Sequence, residues 1–372
     1  MKIIITGGGT GGHIYPGISL AQEFKRRDGS NEIIFVGAEH KMEAEIIPRE
    51  GFRFYGLRVK GIERKFSLAN LSSLWLFLSS LITSYRIIKK FKPDVVIGTG
   101  GYVSGPVALL ASLMGIPTFI QEQNLIPGIT NQFLSLTVRK VLASFPESQK
   151  YFWRKNRVVF FGNPVRENTW QGNRANLIKK TKLSLNKKTI LVFGGSKGAS
   201  AINQTLLTSL KLIDKALWMQ WQVLIVSGKE DYFNLKEEAV HSEYKGQVEV
   251  MDYLHQIGDA YDLADLVVCR AGATTVAEIT AKGLAAILIP YPYATGNHQL
   301  YNARFLEANR AAVVITEEDL TDEKLARELV KLMSDQERLS AMAQNSKKLG
   351  KRGAARDIVE GIYDSIQSKT FS

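Results

Sequence analysis

The residues of this chain best suited to chemistry stand in glycine-rich turns. In IIITGGGTGGHIYPG, residues 3–17, an apolar run breaks into Gly7, Gly8, Gly9, Gly11 and Gly12 before His13. Missing Cβ atoms let a backbone turn tightly and let a ligand approach its N–H groups. A strand that feeds such a turn into a helix aims unpaired N–H groups and the helix dipole at one point, which suits an anion. His13 follows at the helix start, where an imidazole can serve as general base near neutral pH. A second turn lies in VVCRAGATTVAEITAKG, residues 267–283, where Gly272 and Ala273 open a helix whose first turn carries Thr274 and Thr275. Hydroxyls and free N–H groups converge there, as a diphosphate requires. Glu278, four residues after Thr274, shares its helix face and can accept both hydroxyls of a ribose. Gly7, Gly9 and Gly12 also satisfy the dinucleotide fingerprint, which would suit an NAD(P)-dependent oxidoreductase. The acidic residue that should end the second strand comes late, at Glu39, and that reading leaves Glu278 and Gln299 without a task.

The elements that must position these residues alternate along the chain. KIIIT, EIIFVG, DVVIGTG, TFIQEQN and KVLASF read as strands of a first half, and TILVFGG, QVLIVSG, VEVMDYL, LVVCRAG, AILIPYP and AAVVIT as strands of a second, each followed by a helical pattern. The fold class is therefore α/β, with parallel sheets covered by helices. KIIITGGGTGG and KTILVFGGSKGA open the two halves alike, a coarse repeat of one nucleotide-binding-like unit. We expect a first domain over 1–163 and a second over 164–352, with a C-terminal helix at about 353–372 packing back on the first. Ligands bind beyond the carboxyl ends of the strands in such sheets, and two facing domains would set the glycine turns across one cleft.

At 372 residues the chain exceeds what one hydrophobic core serves. Its only cysteine, Cys269, excludes an internal disulfide framework and reads as a small buried hydrophobe in a reducing compartment. The opening MKIIITGGG has no signal-peptide core, which points to the cytoplasm. A net charge of +12 calls for an anionic partner: nucleic acid, a phosphate-bearing substrate or an acidic membrane surface. Without zinc-finger spacing or an RNA-recognition signature, nucleic acid comes last and is not expected as a partner. His40, His241, His255 and His298 lack metal-ligand spacing, and no Asp-x-Asp clamp occurs, so neither metal nor cofactor is expected.

The pattern of glycine, short helix, glutamate, G-x-x-A-x-L-x-P and then glutamine before NA resembles the donor-sugar motif of the GT-B glycosyltransferases. Together with GGGTGGHIYPG, KPDVVIGTGGYVSGP, IQEQN, GNPVR and FGGSKGASAINQ it narrows to the MurG family, the undecaprenyl-pyrophosphoryl-muramyl-pentapeptide N-acetylglucosaminyltransferases. The resemblance spans nearly the whole chain. It implies two facing Rossmann-like domains and inverting, metal-independent transfer of N-acetylglucosamine from its UDP donor to the muramyl 4-hydroxyl of the lipid-linked pentapeptide (lipid I to lipid II). It implies that Thr10, Gly11, Gly12 and Asn124 contact the donor sugar nucleotide, and that Arg166 and Ser196 meet its diphosphate. Leu254 and the turn Ala273, Thr274, Thr275, Val276, Ala277 and Glu278 would hold uracil and ribose, and Gln299 the sugar hydroxyls. Gly100, Gly101 and Tyr102 would help hold the acceptor diphosphate. The catalytic base would be His13, with Glu122 as second candidate or as its orienting partner. Two departures stand out: Gly283-Leu284-Ala285 where the family has glycine-leucine-proline, and EANRAA where it has a glycine.

Residues 66–85, FSLANLSSLWLFLSSLITSY, carry no charge and are long enough to span a bilayer. Leu71, Leu74, Trp75, Leu78, Leu81, Ile82, Tyr85 and Ile88 recur at helical spacing, and Ser72, Ser73, Ser79, Ser80, Thr83 and Ser84 fall opposite. A serine face is a poor partner for hydrocarbon, which leaves a core helix or one lying in the membrane interface. The flanking basic residues and the resemblance favour the second. Leu71, Trp75, Leu78 and Ile82 are then expected to face an anionic membrane, with Lys60, Arg64, Lys65, Lys89 and Lys90 drawing them to it. The expected location is peripheral, on the cytoplasmic face of the cell membrane. A membrane-docked sugar-nucleotide-binding subunit without activity is the non-enzymatic alternative, and two half-sites in one chain speak against it.

Overall fold

The structure is a computed structural model that describes residues 1–59, 69–195, 198–241 and 246–367, with the backbone alone over 69–75 and at 77. The chain divides into two compact units, Met1–Arg166 together with the stretch from Arg352 onward, and Glu167–Lys351. Each is a parallel sheet wrapped by helices. The first holds β1 (Lys2–Gly7), β2 (Glu32–Ala38), β3 (Arg53–Leu57), β4 (Val95–Gly100), β5 (Thr118–Glu122), β6 (Lys140–Ala143) and β7 (Val158–Phe160), in the order β3-β2-β1-β4-β5-β6-β7. The second holds β8 (Lys188–Phe193), β9 (Trp221–Val226), β10 (Val248–Met251), β11 (Leu266–Cys269), β12 (Ala285–Leu288) and β13 (Ala312–Val314), in the order β10-β9-β8-β11-β12-β13.

The sequence of β1 shows why such a sheet forms. Successive side chains leave a strand on opposite faces, and both faces of β1 are covered, so its consecutive isoleucines are all buried. Ile3 and Ile5 pack against Ile14, Ile18 and Phe24 of α1 (Gly11–Arg27). Ile4 joins Val36, Val96, Val103 and Val107 on the other side. Every strand read from the sequence is present. Two more, β3 and β7, are the edges of the first sheet. RFYGL is mostly exposed and VVF spans three residues, so neither carries the apolar run that marks an inner strand.

The strand order reverses between β1 and β4 in one unit and between β8 and β11 in the other, and such switch points are where doubly wound sheets bind ligands. All the glycine turns of interest follow these four strands. On the first unit, helices α2 (Glu43–Arg49), α3 (Ala69–Phe91), α4 (Ser104–Leu113) and α5 (Ile129–Leu134) complete the crossovers. The helix Ala354–Gln367, although it follows the second unit in sequence, packs Ile358, Val359 and Ile362 into the core around α1. Asn31 Nδ2 donates to Tyr363 Oη at 3.1 Å, and the Arg27 guanidinium stacks 4.2 Å from that ring.

Candidate active site

In the first unit the site is built on carboxyl ends of strands. β1 ends at Gly7, where a Cβ would meet Thr99 Oγ1 at 2.1 Å, so only glycine lets β1 and β4 close up here. The turn continues through Gly9, at φ +85°, into α1. His13 lies in the first turn of α1 and is half-buried. Its Nδ1 is 3.1 Å from the Thr99 carbonyl oxygen and 3.0 Å from Gln123 Oε1. Both are acceptors, for Gln123 turns its Nε2 to the same Thr99 carbonyl at 2.7 Å. Nδ1 therefore carries the hydrogen, and the lone pair of the ring stands on Nε2. The second glycine turn lies against this ring. Gly100, at φ +101°, has its Cβ position 2.6 Å from His13 Nδ1, so any side chain there would displace the imidazole. Gly101 and Tyr102 follow, and burial, then the charge of Glu43, raises the Tyr102 phenol above its ordinary range.

Glu122 ends β5 and is buried. Its Oε1 accepts from Asn124 N at 2.9 Å and Asn124 Nδ2 at 3.3 Å, and its Oε2 from Gly128 N at 3.1 Å and Asn131 Nδ2 at 2.9 Å. A carboxylate with four donors holds a loop, and the loop it holds presents Asn124. Gln121 reaches Ser144 Oγ at 2.9 Å and Asn163 Oδ1 at 3.4 Å, which ties the EQN segment to GNPVR. Arg166 closes the unit with its guanidinium 4.4 Å from the ring of Tyr15, one turn along α1 from Gly11 and Gly12. Thr10 caps α1 without a side-chain hydrogen bond.

In the second unit, β8 runs through Gly194 and Gly195 toward Ser196, which lies outside the described residues. Past it, Gly198 sits 2.3 Å (Cβ position) from the Ser227 carbonyl oxygen. After β11, Gly272 in extended conformation caps the helix Ala273–Lys282. Ala273 and Val276 are buried, and Thr275, Ala277 and Glu278 are half-buried. Thr274 Oγ1 is buried and has no hydrogen-bond partner among the described residues, which leaves the hydroxyl able to bond a ligand. The Tyr261 hydroxyl donates to Glu278 Oε2 at 3.0 Å and orients the carboxylate. Gln299 Oε1 accepts from Ala271 N at 3.2 Å and Tyr291 N at 3.0 Å, which leaves its NH2 as the donor end. Asn302, on the same helix His298–Ala308, donates to the Ala271 carbonyl at 3.3 Å. Leu254 is half-buried in the loop after β10. Of the two departures, Gly283 takes φ +79° and Ala285 is buried in β12, and Arg310 takes φ +54° where a glycine would sit without strain.

Cys269 is fully buried at the end of β11, and burial, with a lesser push from the Glu278 charge, raises its thiol far above the ordinary range. The native protein is expected to leave a disulfide thiol reagent unreacted at pH 8 over an hour, and to react with one equivalent once unfolded. Rapid native labelling would show the end of β11 to be open.

On α3, Leu78 and Ile82 are exposed, and Ser80, Ser84 and Ile88 form the buried stripe. The side chains of Leu71 and Trp75, and Lys60, Arg64 and Lys65 entirely, lie outside what is described. Lys89 and Lys90 are exposed at the end of α3. On the same unit Ile129, Phe133 and Trp153 are also exposed, the last two edge to face with centroids 6.0 Å apart. Among the described residues no helix is long and apolar enough to cross a membrane. Sequence reasoning missed Glu43, Gln123, Tyr261 and Asn302, whose roles rest on contacts between segments far apart in the chain. The NA pair after Gln299 was the one local hint, for it contains Asn302.

The chain as a whole is similar to known proteins. Residues 3–143 match the glycosyltransferase family 28 N-terminal domain and residues 189–358 its C-terminal domain. The chain is 45% identical over 372 residues, all of both chains, to a UDP-N-acetylglucosamine--N-acetylmuramyl-(pentapeptide) pyrophosphoryl-undecaprenol N-acetylglucosamine transferase of Thermoanaerobacter sp. (strain X514). It is 42% identical to the enzyme of that name from Acetivibrio thermocellus, over 99% of each chain. The crystal structure of Acinetobacter baumannii MurG superposes with a TM-score of 0.79 at 27% identity, covering 98% of this chain and 99% of that one. Matched in both halves by the family models and along its whole length by enzymes of one name, the chain belongs to glycosyltransferase family 28.

Proposed function

We propose that this enzyme transfers N-acetylglucosamine from UDP-N-acetylglucosamine to the muramyl 4-hydroxyl of undecaprenyl-pyrophosphoryl-MurNAc-pentapeptide, with inversion at the anomeric carbon. Full-length identity to transferases of that name supports the substrates. The observation that carries the chemistry is His13, whose Nδ1–H is held by a backbone carbonyl against the second glycine turn, so that the lone pair of the ring is left on Nε2. Nε2 takes the proton of the acceptor hydroxyl as its oxygen attacks the anomeric carbon, and UDP leaves. Glu122 is assigned to positioning, because all its acceptor capacity is spent on the loop of Asn124. Asn124 then addresses the donor sugar, and Gly100, Gly101 and Tyr102 the acceptor diphosphate. Thr10, Gly11 and Gly12 offer the first-turn N–H groups of α1.

In the second unit the donor is held by the start of the helix Ala273–Lys282, with the Thr274 hydroxyl and first-turn N–H groups toward the diphosphate and Glu278 toward the ribose. Leu254 lies against uracil, and the NH2 of Gln299 meets the sugar hydroxyls. Charge building up on the departing diphosphate is stabilised by that helix dipole, by Arg166 and by Ser196. Replacing Glu278 by alanine is expected to weaken UDP-N-acetylglucosamine binding by about 10- to 100-fold, the worth of one charged hydrogen bond, without unfolding the unit. Titration calorimetry checks it, and an unchanged affinity removes Glu278 from the site. Release of UDP that depends on the lipid-linked acceptor tests the reaction as a whole. Release without acceptor would reduce it to donor hydrolysis.

The acceptor is anchored in lipid, so we place the enzyme peripherally on the cytoplasmic leaflet. Exposure of Leu78 and Ile82 on α3, with Lys89 and Lys90 at its end, supports a face directed to anionic lipid. The exposed aromatic pair Phe133 and Trp153 is a second apolar surface on the same unit, and such rings favour the interface.

A further inference from the structure

Behind the first glycine turn lies a carboxylate that the reaction above does not use. Glu43 opens α2 and is fully buried. Its Oε1 and Oε2 each lie 3.1 Å from Gly9 N, and Oε1 lies 3.1 Å from Ala38 N as well. Burying a carboxylate is costly unless donors meet it. The chain has made room for this one, for a Cβ on Gly8 would strike Oε1 at 2.0 Å and one on Gly37 would strike Cγ at 2.8 Å. Two of the glycines near this turn therefore serve the glutamate rather than a ligand.

The consequence reaches the reacting groups. Gly9 is exposed, yet its N–H is drawn inward to Glu43 and withdrawn from solvent and ligand alike. Gly8, next to it, donates to the Gly100 carbonyl at 3.3 Å, and the Gly8 carbonyl oxygen fills the Cβ position of Gly101 to within 2.4 Å. Gly100 in turn lies against the His13 ring. One rigid path thus joins Glu43, the first turn, the second turn and the imidazole.

We propose that Glu43 is a positioning residue for the acceptor half of the reaction: by holding the Gly9 amide inward it fixes the two glycine turns against each other and so sets the place of His13. The proposal rests on the transfer reading above. It also means that the N–H groups left for phosphate on the first turn are those at the start of α1, not that of Gly9.

Glu43→Gln keeps the shape of the side chain but turns an NH2 toward one of the two amides. In the full chain, assayed with UDP-N-acetylglucosamine and the lipid-linked acceptor, kcat/KM for the acceptor is expected to fall about 10- to 100-fold, the scale of one charge-assisted hydrogen bond. The KM for the donor is expected to stay within about twofold, a split that a general loss of structure does not give. Acceptor kinetics unchanged in the folded variant, or a donor KM that rises as far as the acceptor term falls, would overturn the proposal. A second measurement needs no variant: the Gly9 amide of the native protein, though at the surface, is expected to exchange its hydrogen at least about 100-fold more slowly than an open loop amide. Exchange at the open rate overturns the proposal equally. Absence of turnover in the unaltered enzyme would instead refute the transfer reading, and leave the exchange result to decide on Glu43.

Discussion

Replacing His13 by alanine is expected to lower turnover by about 10²–10⁴-fold, the usual worth of a positioned acid–base group. The ring is fixed from three sides. Thr99 and Gln123 take its Nδ1–H, and Gly100 closes on its edge, so Nε2 has one direction in which to act. Alanine removes the base and leaves those neighbours in place. UDP-N-acetylglucosamine should therefore bind the variant nearly as well as the parent, because its assigned contacts on the second unit are untouched. Calorimetry for the donor and single-turnover kinetics for the chemical step separate the two effects. If donor affinity drops by the same factor as turnover, His13 is a ligand contact and the base must be another group. Gln123→Leu offers a milder check on the same geometry, with a smaller loss expected because the Thr99 carbonyl still holds Nδ1.

The double variant Leu78→Asp/Ile82→Asp is expected to lower the affinity for anionic vesicles by more than about 100-fold. Full burial of a leucine or isoleucine side chain contributes about 1.5–3 kcal/mol, so losing two, even partly inserted, exceeds the 2.7 kcal/mol or so that two decades require. Each new carboxylate adds repulsion from the lipid charge, roughly 1 kcal/mol near the surface. Leu78 and Ile82 are 51% and 56% exposed, whereas the stripe that seats α3, Ser80, Ser84 and Ile88, is at most 1% exposed. Melting temperature and donor binding should accordingly stay within error. Vesicle sedimentation at low and physiological salt reads the result. Retained binding would move the docking face elsewhere, with Ile129, Phe133 and Trp153 as the next surface to alter. An unfolded variant would make this side of α3 part of the core.

Much of the fold was legible because its signals are local. An inner strand of a parallel sheet is covered on both faces and must be apolar throughout, so Ile3–Ile5, Val95–Ile97 and Leu266–Cys269 declare themselves in any window of a few residues. The glycine turns are legible for the same reason: a tight strand-to-helix turn needs its glycines side by side. Edge strands escape this logic, and β3 and β7 were invisible because half of each faces solvent or ends within three residues. The face of α3 that meets the protein was only half legible, since the serines at 80 and 84, read as the polar face, are buried along with Ile88.

The sequence by itself determined the element types and the glycine turns that end the inner strands, because each depends on residues within one turn or one strand. Only the tertiary structure decided which side chains meet at those turns. Nothing near His13 in the chain reveals that Gln123, 110 residues away, fixes its tautomer, or that Glu43, 34 residues from Gly9, claims that amide for the scaffold. Glu122 reads as a base in a list of carboxylates and as a loop holder once its four donors surround it. The physical reason is the same in each case. A side chain's chemistry is set by which donors and acceptors fill its valences, and those arrive from strands that the sheet, not the sequence, makes neighbours.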